Sequence, residues 1–371
     1  MTGTSLDAVD IAFCEFDFDS ETQKFKHSLI NYVEYEIPNL LKKEILYAIN
    51  QDIKIKHISQ LNYAISKLYA VSVNTFIAEN NINKNCINAI GMHGQTVWHE
   101  PNAEFFAGMN ISSTLQLGNI SSVAIQTGIR TIGDFRSADI ALGGNGAPLV
   151  PIFDKHFLKS EQNIIALNIG GIANLTFIPN DSNNQNIMAF DTGPGNVWID
   201  ALLQKFFNKK YDKNGEIAKS GNVIYNLLEE LLNKFDYIFK APPKSTGREL
   251  FSESNLNAIL ENHKEINNRD IVCSITEFTA KSIALNIEKY TNDVAEIVVS
   301  GGGANNDYLL ERIKYHTKLP INKVEKYGID SSAKEAICFA FLAYLFDLGI
   351  DGNIPSVTGA KQSSVLGISS K

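Results

Sequence analysis

Apolar and polar positions alternate with a period of two at the start of the chain, where Val9, Ile11 and Phe13 interleave with Asp10, Ala12 and Cys14, predicting a strand that leaves the turn Gly3-Thr4-Ser5. A second strand is predicted over about residues 29–37, ending at Pro38. The period then changes to that of a helix, first in Leu40, Leu41, Ile45, Leu46 and Ile49 and again in Ile58, Leu61, Ile65, Leu68 and Phe76. A short apolar strand over 87–92 runs into His93-Gly94-Gln95. The second half opens in the same way, with an apolar run over 164–169, a Gly170-Gly171 turn and a returning strand over 173–178, and a further strand leads to Asp191. Helices are expected over 197–207, 223–235 and 274–290, the last opening on Ser274 and Glu277 as a capping box. A strand over 296–300 runs into Gly301-Gly302-Gly303, and an apolar helix covers about 333–348. Strands and glycine turns alternating with helices make an α/β chain, and each half begins with a strand, a tight turn and a strand back.

Length adds a division to this picture. A chain of 371 residues exceeds the roughly 250–300 residues at which a single core stops growing, so two domains with a cleft between them are expected. The net charge of −8 and the lack of a basic tract argue against a partner made of nucleic acid. The longest apolar run, Ala336 to Phe346, is too short for a membrane span and no leader-like stretch opens the chain, which reads as cytoplasmic with no membrane partner. Cys14, Cys86, Cys273 and Cys338 form no C-x-x-C pair and are expected to be buried free thiols. His93 and His99 do not have the spacing of a zinc site, so no metal centre built from protein ligands alone is expected.

Three glycine-bearing turns carry the chemistry. Backbone N–H groups of such turns surround phosphate oxygens, hydroxyls add donors, and an Asp holds magnesium through water. Gly3-Thr4-Ser5-Leu6-Asp7-Ala8-Val9-Asp10 offers all of these in one stretch, and Asn168-Ile169-Gly170-Gly171-Ile172-Ala173-Asn174 matches it in the second half, so that the pair reads as opposing jaws on a triphosphate. Either turn taken singly is also what an ordinary hairpin uses. Gly301, Gly302, Gly303 and Asn305 follow a buried strand where an open α/β sheet binds nucleotides. Neither the G-x-x-x-x-G-K-[ST] signature nor a Rossmann glycine fingerprint is present. In Phe190-Asp191-Thr192-Gly193-Pro194-Gly195-Asn196 one carboxylate stands at a strand end on a stiff turn, suited to act as a general base, while the helix-cap position falls to Asn196. His93, Gln95 and Arg136 are suited to sugar hydroxyls and a carboxylate, and Glu335 heads an apolar helix where it either faces the helix dipole or the cleft.

The ordered segments GTSLDAVD, GMHGQTVWHEP, GDFRSADIALGGNGAPLVP, NIGGIANLT, FDTGPGN, KSTGREL, SGGGANN and KEAICFA resemble the anhydro-N-acetylmuramic acid kinase family, within the actin, sugar-kinase and Hsp70 ATPase superfamily, along nearly the whole chain. The resemblance implies two RNase H-like, actin-like ATPase domains flanking an ATP cleft, expected at 1–130 plus 355–371 and at 131–354. It also implies ATP and Mg2+, the latter at Asp7, and a reaction that opens the 1,6-anhydro ring with water and phosphorylates O6, giving N-acetylmuramic acid 6-phosphate in cell-wall (murein) recycling and amino-sugar catabolism. Asp191 would activate the water. The partners expected are the sugar and ATP, with a homodimer left open. In the family a short strand precedes the G-T-S-L-D turn, whereas only Met1 and Thr2 precede Gly3 here, so the first hairpin is expected to lack most of one arm; Ala8 replaces a common Gly. The rival readings are an ordinary hydroxyl kinase of the same superfamily and an actin-like filament or chaperone module.

Overall fold

A computed structural model describes residues 1–3, 6–180, 185–247 and 249–371. Thr4, Ser5, Arg248 and the middle of the Asn-rich stretch at 180–186 lie outside the described residues. The chain divides into two compact units, one of Met1–Phe157 with Ser332–Lys371 and one of Leu158–Ser331. Both boundaries differ from those expected: 131–157 and 332–354 lie with the first unit, because the strand at 131–133 pairs with the one at 90–92 and the apolar C-terminal helix packs on that same sheet.

The first unit begins with an antiparallel hairpin of β1 (Ala8–Asp19) and β2 (Lys24–Glu36), bulged at Phe13 and Cys14. Helices α1 (Asn39–Asn50) and α2 (Ile55–Glu79) follow, then β3 (Ile90–Met92), a second hairpin of β4 (Gln95–Phe106) and β5 (Met109–Leu117), helix α3 (Ile120–Thr127), β6 (Thr131–Gly133), and α4 (Ser137–Ala141) and α5 (Val150–Phe157). The predicted strand over 87–92 is only β3 because Lys84–Cys86 make a 3-10 turn before it. The β4–β5 hairpin was not predicted, since Pro101 and two register breaks interrupt any alternation along it.

The second unit holds β7 (Asn163–Ile169), β8 (Ile172–Ile178) and β9 (Met188–Pro194), helices α6 (Val197–Phe207), α7 (Glu216–Lys219), α8 (Tyr225–Lys234), α9 (Glu253–Leu260) and α10 (Asn268–Tyr290), then β10 (Val294–Ser300), α11 (Asp307–Thr317) and β11 (Ile321–Lys323). The chain returns to the first unit with α12 (Lys334–Leu348), α13 (Pro355–Thr358) and β12 (Ile368–Ser370).

In the second unit one five-stranded sheet runs β11-β10-β7-β8-β9, antiparallel among β7, β8 and β9 and parallel among β7, β10 and β11. Alternation assigns Ile165, Leu167, Ile169, Ala173, Leu175 and Phe177 to one face, where they pack on Ala280, Ile283 and Ile287 of α10 and Leu309 and Ile313 of α11. A neighbouring core gathers Trp198, Leu202, Leu227, Leu231, Phe251 and Phe278. Helix α10 starts at Asn268, six residues before the expected start, and is capped by Asn267, whose side chain accepts from Arg269 N. Ser274 and Glu277 are therefore interior: the buried Glu277 carboxylate accepts from Arg312 Nε at 2.6 Å and Nη2 at 2.9 Å and pairs with His316 at 2.7 Å.

The strands of the first unit fall into β1-β2, β12-β6-β3 and β4-β5. Helix α12 packs against both β1 and β3, and its burial all round suits an apolar helix inside a layered α/β unit. Phe16, Phe25, Phe153, Phe157 and Phe341 interlock between the first hairpin, α5 and α12. Of the cysteines only Cys273 and Cys338 are buried; Cys86 is exposed because it sits in the turn ahead of β3.

Candidate active site

The register of the second sheet puts four polar residues in one row across its strands: Ser300 of β10 opposes Asn168 of β7, Asn168 opposes Asn174 of β8, and Asn174 opposes Asp191 of β9. Directly opposed residues project from the same face, so the apolar packing on α10 and α11 leaves this row on the other side. Ser300 is buried and its Oγ has no hydrogen-bond partner. A buried hydroxyl without a partner is costly and marks a place where a ligand would supply one.

The turns at the end of this row are locked together. Gly195 N and Val197 N donate to Gly171 O at 2.8 and 3.1 Å, Asn196 N donates to Gly170 O at 2.8 Å, and Asn196 Nδ2 donates to Ile169 O at 3.2 Å. Asn196 occupies the cap position of α6, as its place in the sequence predicts, but its side chain serves the turn and makes no cap bond. A Cβ on Gly195 would meet Gly170 O at 2.3 Å, and one on Gly303 would meet Ile169 Cγ2 at 2.3 Å. Gly301 has φ +81°, a left-handed conformation that glycine adopts without strain, and its N donates to Ser331 Oγ at 2.9 Å. Gly302 and Asn305 are exposed in the short 3-10 turn of Gly302–Asn305, so the loop reaches α11 through that turn. Asn168, Gly170, Gly171, Asn174 and the 301–305 loop are thus brought together with Asp191.

Asp191 is held on Oδ2 by Ser245 Oγ and Thr246 N, each at 2.9 Å. Burial raises its pKa, while the bonds from Thr246 and Ser245 and the charge of Lys244 work the other way and Glu249 adds to the rise. Lys244 donates to Tyr237 O, Ile238 O and Asn286 Oδ1 and lies over the Tyr237 ring, and burial lowers its pKa to about 8, aided by Lys289 and opposed by Asp191. Thr279 donates to Gly195 O, Ser282 to Thr192 O, and Asn286 to Thr192 O and Ile238 O. These three α10 residues, with Ser245 and Thr246, pin Asp191 and the turn that follows it; Ser245 and Thr246 lie in the KSTGREL segment, whereas the three α10 residues were not singled out from sequence. Their signal was a polar stripe at helical spacing, Thr279, Ser282 and Asn286, on an otherwise buried helix.

The first unit carries the other predicted residues. Leu6 is buried with φ +57° and donates its N to Gly3 O, and Thr2 bridges Val9. Ala8 and Asp10 lie on β1, where Asp10 opposes Glu34, accepts from Tyr32 OH at 3.3 Å, and has its pKa raised by burial to about 6. Asp7 is exposed, 3.7 Å from Lys42 Nζ. His93 is buried; its Nε2 accepts from Arg136 Nε at 3.1 Å, and burial with the Arg136 charge holds it well below the ordinary imidazole pKa. The ring is therefore neutral, and its Nδ1 has no partner. Gln95 is buried, donating Nε2 to Thr96 O while Oε1 has no partner. Burial lowers Arg136 to about 10, opposed by Glu335. Glu335 stands in the first turn of α12, reached by solvent but with protein around it that raises its pKa against Lys334 and Arg136. His93, Arg136 and Glu335 thus form one group. Asp139, in the same stretch as Arg136, is structural: it accepts from Gly146 N, Asn353 Nδ2 and Thr358 Oγ1.

This is a mixed α/β chain of a sugar-kinase family. The family model for anhydro-N-acetylmuramic acid kinase matches residues 1–370, and the chain belongs to that family. It is 38% identical over 375 residues to a protein of that name from Bacillus cereus (strain AH187), covering 99% of this chain and 97% of the relative. It is 41% identical over 372 residues to one from Shewanella oneidensis, covering 99% and 96%. Among solved structures, the activator of the 2-hydroxyisocaproyl-CoA dehydratase from Clostridium difficile with bound ADPNP matches with a TM-score of 0.38 at 16% identity, over 63% of this chain and 85% of that one. Component A of the (R)-2-hydroxyglutaryl-CoA dehydratase from Acidaminococcus fermentans matches with a TM-score of 0.35 at 14% identity, over 62% and 87%. At these scores the structural likeness carries no weight.

Proposed function

We propose that this chain transfers the γ-phosphoryl group of ATP to O6 of anhydro-N-acetylmuramic acid while water opens the 1,6-anhydro ring, forming N-acetylmuramic acid 6-phosphate and ADP. The observation that carries the chemical step is Asp191, a carboxylate on β9 three residues before the locked Gly195 turn ends that strand, oriented by Ser245 and Thr246 and with its pKa raised by burial. Asp191 takes the proton of the water that attacks the anomeric carbon; the bond from that carbon to O6 breaks, and O6 attacks the phosphorus. Family membership over the whole chain supports the substrate.

The nucleotide is assigned to the Gly170-Gly171 and Gly301–Gly303 turns; a Cβ at Gly301 or Gly303 would collide with Asn168 or Ile169, and the neighbouring Ser300 has a hydroxyl to satisfy. The Gly3–Asp10 turn is assigned to phosphate as well. Asp7 suits magnesium, which keeps most of its waters and takes one or two carboxylates beside phosphate oxygens, and an exposed single carboxylate meets that need. Among the described residues no group of three or more His, Cys, Asp and Glu could hold a metal by itself. When bound, the ion would offset phosphate charge. His93, Gln95, Arg136 and Glu335 are assigned to the sugar, Arg136 facing its lactyl carboxylate.

The test is an assay of ATP consumption with the anhydro sugar in which the product is weighed. Addition of both water and phosphate is expected. Addition of phosphate alone, to a ring still closed, would instead make the chain an ordinary hydroxyl kinase with Asp191 acting on a free hydroxyl.

A further inference from the structure

Ser245 and Thr246, which hold Asp191, belong to a segment that is neither helix nor strand, and Lys244 anchors it. Asp191 N donates to Lys244 O at 3.3 Å, so the segment meets β9, the outermost strand of its sheet. The Lys244 amine ties in two further elements. It donates to Tyr237 O at 3.3 Å and Ile238 O at 3.1 Å, in the 3-10 turn Asp236–Phe239, and to Asn286 Oδ1 of α10 at 2.7 Å. Asn286 Nδ2 in turn donates to Ile238 O and to Thr192 O, the carbonyl next along from Asp191. Tyr237 OH closes the ring by donating to Asp191 O at 3.1 Å. The rings of Tyr237, Phe190 and Tyr290 lie 5.0, 5.6 and 5.9 Å from the amine, which leaves it half-buried among aromatic faces.

Three acceptors match the three N–H groups of an ammonium. A neutral amine has two N–H groups and a lone pair, so one of the three oxygens would then face a lone pair and lose its bond, at a cost that grows with burial. The titratable and charged groups around the amine come from every neighbouring element: Asp191 on β9, Tyr237 in the turn, Lys289 and Tyr290 on α10, and Glu249 further along the segment, while Asp236 and Lys240 pair with each other. Burial and then Lys289 lower the Lys244 pKa to about 8 against the pull of Asp191. Burial, Asp191 and Glu249 hold the Tyr237 phenol above its ordinary range, so it keeps its proton where Lys244 loses one.

We propose that Lys244, as an ammonium, is the positioning residue for Asp191: its three bonds keep residues 244–246 against β9 with Ser245 Oγ and Thr246 N aimed at Asp191 Oδ2, and loss of its proton lets that cover shift. Lys244 touches no reacting atom. It acts through Asp191, and the inference rests on the reading of Asp191 as the base. Asp191 then gives activity its acid limb and Lys244 gives it an alkaline one, with turnover full below the Lys244 pKa and falling as pH rises through it.

The test is the pH profile of kcat and of KM for ATP in three full-length chains: the unmodified one, Lys244→Met, and Lys244→Cys alkylated with bromoethylamine. The alkylation rebuilds a side chain of lysine's length that carries a three-donor ammonium but is a weaker base. The unmodified chain treated with the same reagent controls for the exposed Cys86. In the unmodified chain kcat should fall as pH rises through about 8. Lys244→Met should have a kcat about tenfold or more lower at neutral pH with KM for ATP little changed, in keeping with the roughly 10²-fold cost of misplacing a group by about 1 Å. It should lack the alkaline fall, so that the two chains converge at high pH. The aminoethyl chain should regain kcat at mildly acid pH, unlike its untreated parent, and its alkaline fall should move to lower pH. Should Lys244→Met fail to fold, the aminoethyl chain still decides. An alkaline limb that persists in Lys244→Met, one that keeps its place in the aminoethyl chain, or flat activity through the Lys244 pKa in the unmodified chain each overturn the role of Lys244, and leave Asp191 as the base if Asp191→Asn, assayed alongside, is folded and inactive. Near-normal turnover in a folded Asp191→Asn chain overturns both.

Discussion

The hairpins that open the two units are built alike and do different work. Each has a glycine turn followed by a strand whose third residue is polar and is opposed by an acid on the next strand: Asn174 by Asp191 in the second unit, Asp10 by Glu34 in the first. Glu34 is exposed and receives only the Tyr32 hydroxyl, at 2.8 Å, among the hydrogen bonds described, whereas Asp191 lies half-buried under Ser245 and Thr246. The loop at 244–246 and the polar stripe of α10 exist only in the second unit. A carboxylate on a hairpin strand becomes a candidate base through what is laid over it, and its position in the strand alone does not suffice.

The largest effect that tests this contrast comes from the same substitution at both places. Asp191→Asn keeps size and turn but loses the proton acceptor, so turnover should fall about 10²–10⁴-fold with melting temperature and nucleotide affinity little changed. Glu34→Gln should leave turnover within about twofold, as expected of an exposed residue outside the chemistry. Near-normal turnover in a folded Asp191→Asn chain would place both acids in the same passive class.

A stability difference of about 3 kcal/mol is expected from Arg312→Met, which strands the buried Glu277 carboxylate with His316 alone. Burial raises the Glu277 pKa, but the bonds from Arg312 and His316 outweigh it and the net shift is downward. The stability Glu277 contributes is therefore present above the ordinary Glu pKa and is lost as pH falls through its folded value. Denaturant melts should show the Arg312→Met cost at neutral pH and a smaller one in acid; a cost that does not change with pH would mean lost packing and not lost charge.

The pH profile of activity gives a finer probe of the cover over Asp191. With its pKa raised, the acid limb of kcat/KM should lie above the ordinary Asp value of about 4. Lys244→Met removes a charge that lowers the Asp191 pKa and should move the limb up, while Glu249→Gln removes one that raises it and should move it down. Limbs that stay in place in both variants would assign the titration to another group.

The smallest effect expected is at Asp200 of α6, whose pKa is raised to about 6 by burial and then by Asp212. A raised acid favours the folded state fully below its unfolded pKa, and that contribution is lost as pH rises through about 6. Asp200→Asn should therefore stabilise the chain at pH 8 by about 1 kcal/mol, after allowing for solvent screening of a partly exposed group, and by little near pH 4. Thermal melts at the two pH values check this.

How far the chain could be read in advance follows the range of the forces involved. The Gly170-Gly171 hairpin, β1, α2, α12 and the strand into Gly301 were legible, because period and turn chemistry are properties of neighbouring residues. The Ser274 and Glu277 spacing was misread as a helix start because a capping box is only a local pattern, and Glu277 takes its partners from α11, at Arg312 and His316. Asp191 and the polar run holding Ser245 and Thr246 were legible as candidates, but that these two bond Asp191 was not, and Thr279, Ser282 and Asn286 were missed, since the bonds that tie these five to Asp191, Thr192 and Gly195 each span more than fifty residues of chain.

By itself the order of residues determined the α/β class, the strand-turn-strand opening of the second half and the family whose motifs recur along the chain, all of which rest on local periodicity and on residue types at set spacings. Tertiary structure alone decided that α12 returns to the first unit, that the row Ser300, Asn168, Asn174 and Asp191 shares one sheet face, and that Asp191 is shielded while Glu34 is not. Those outcomes depend on strand register and on which distant loop covers which strand end. Burial and charge there set a carboxylate's proton affinity, and they come from segments that no short stretch of sequence contains.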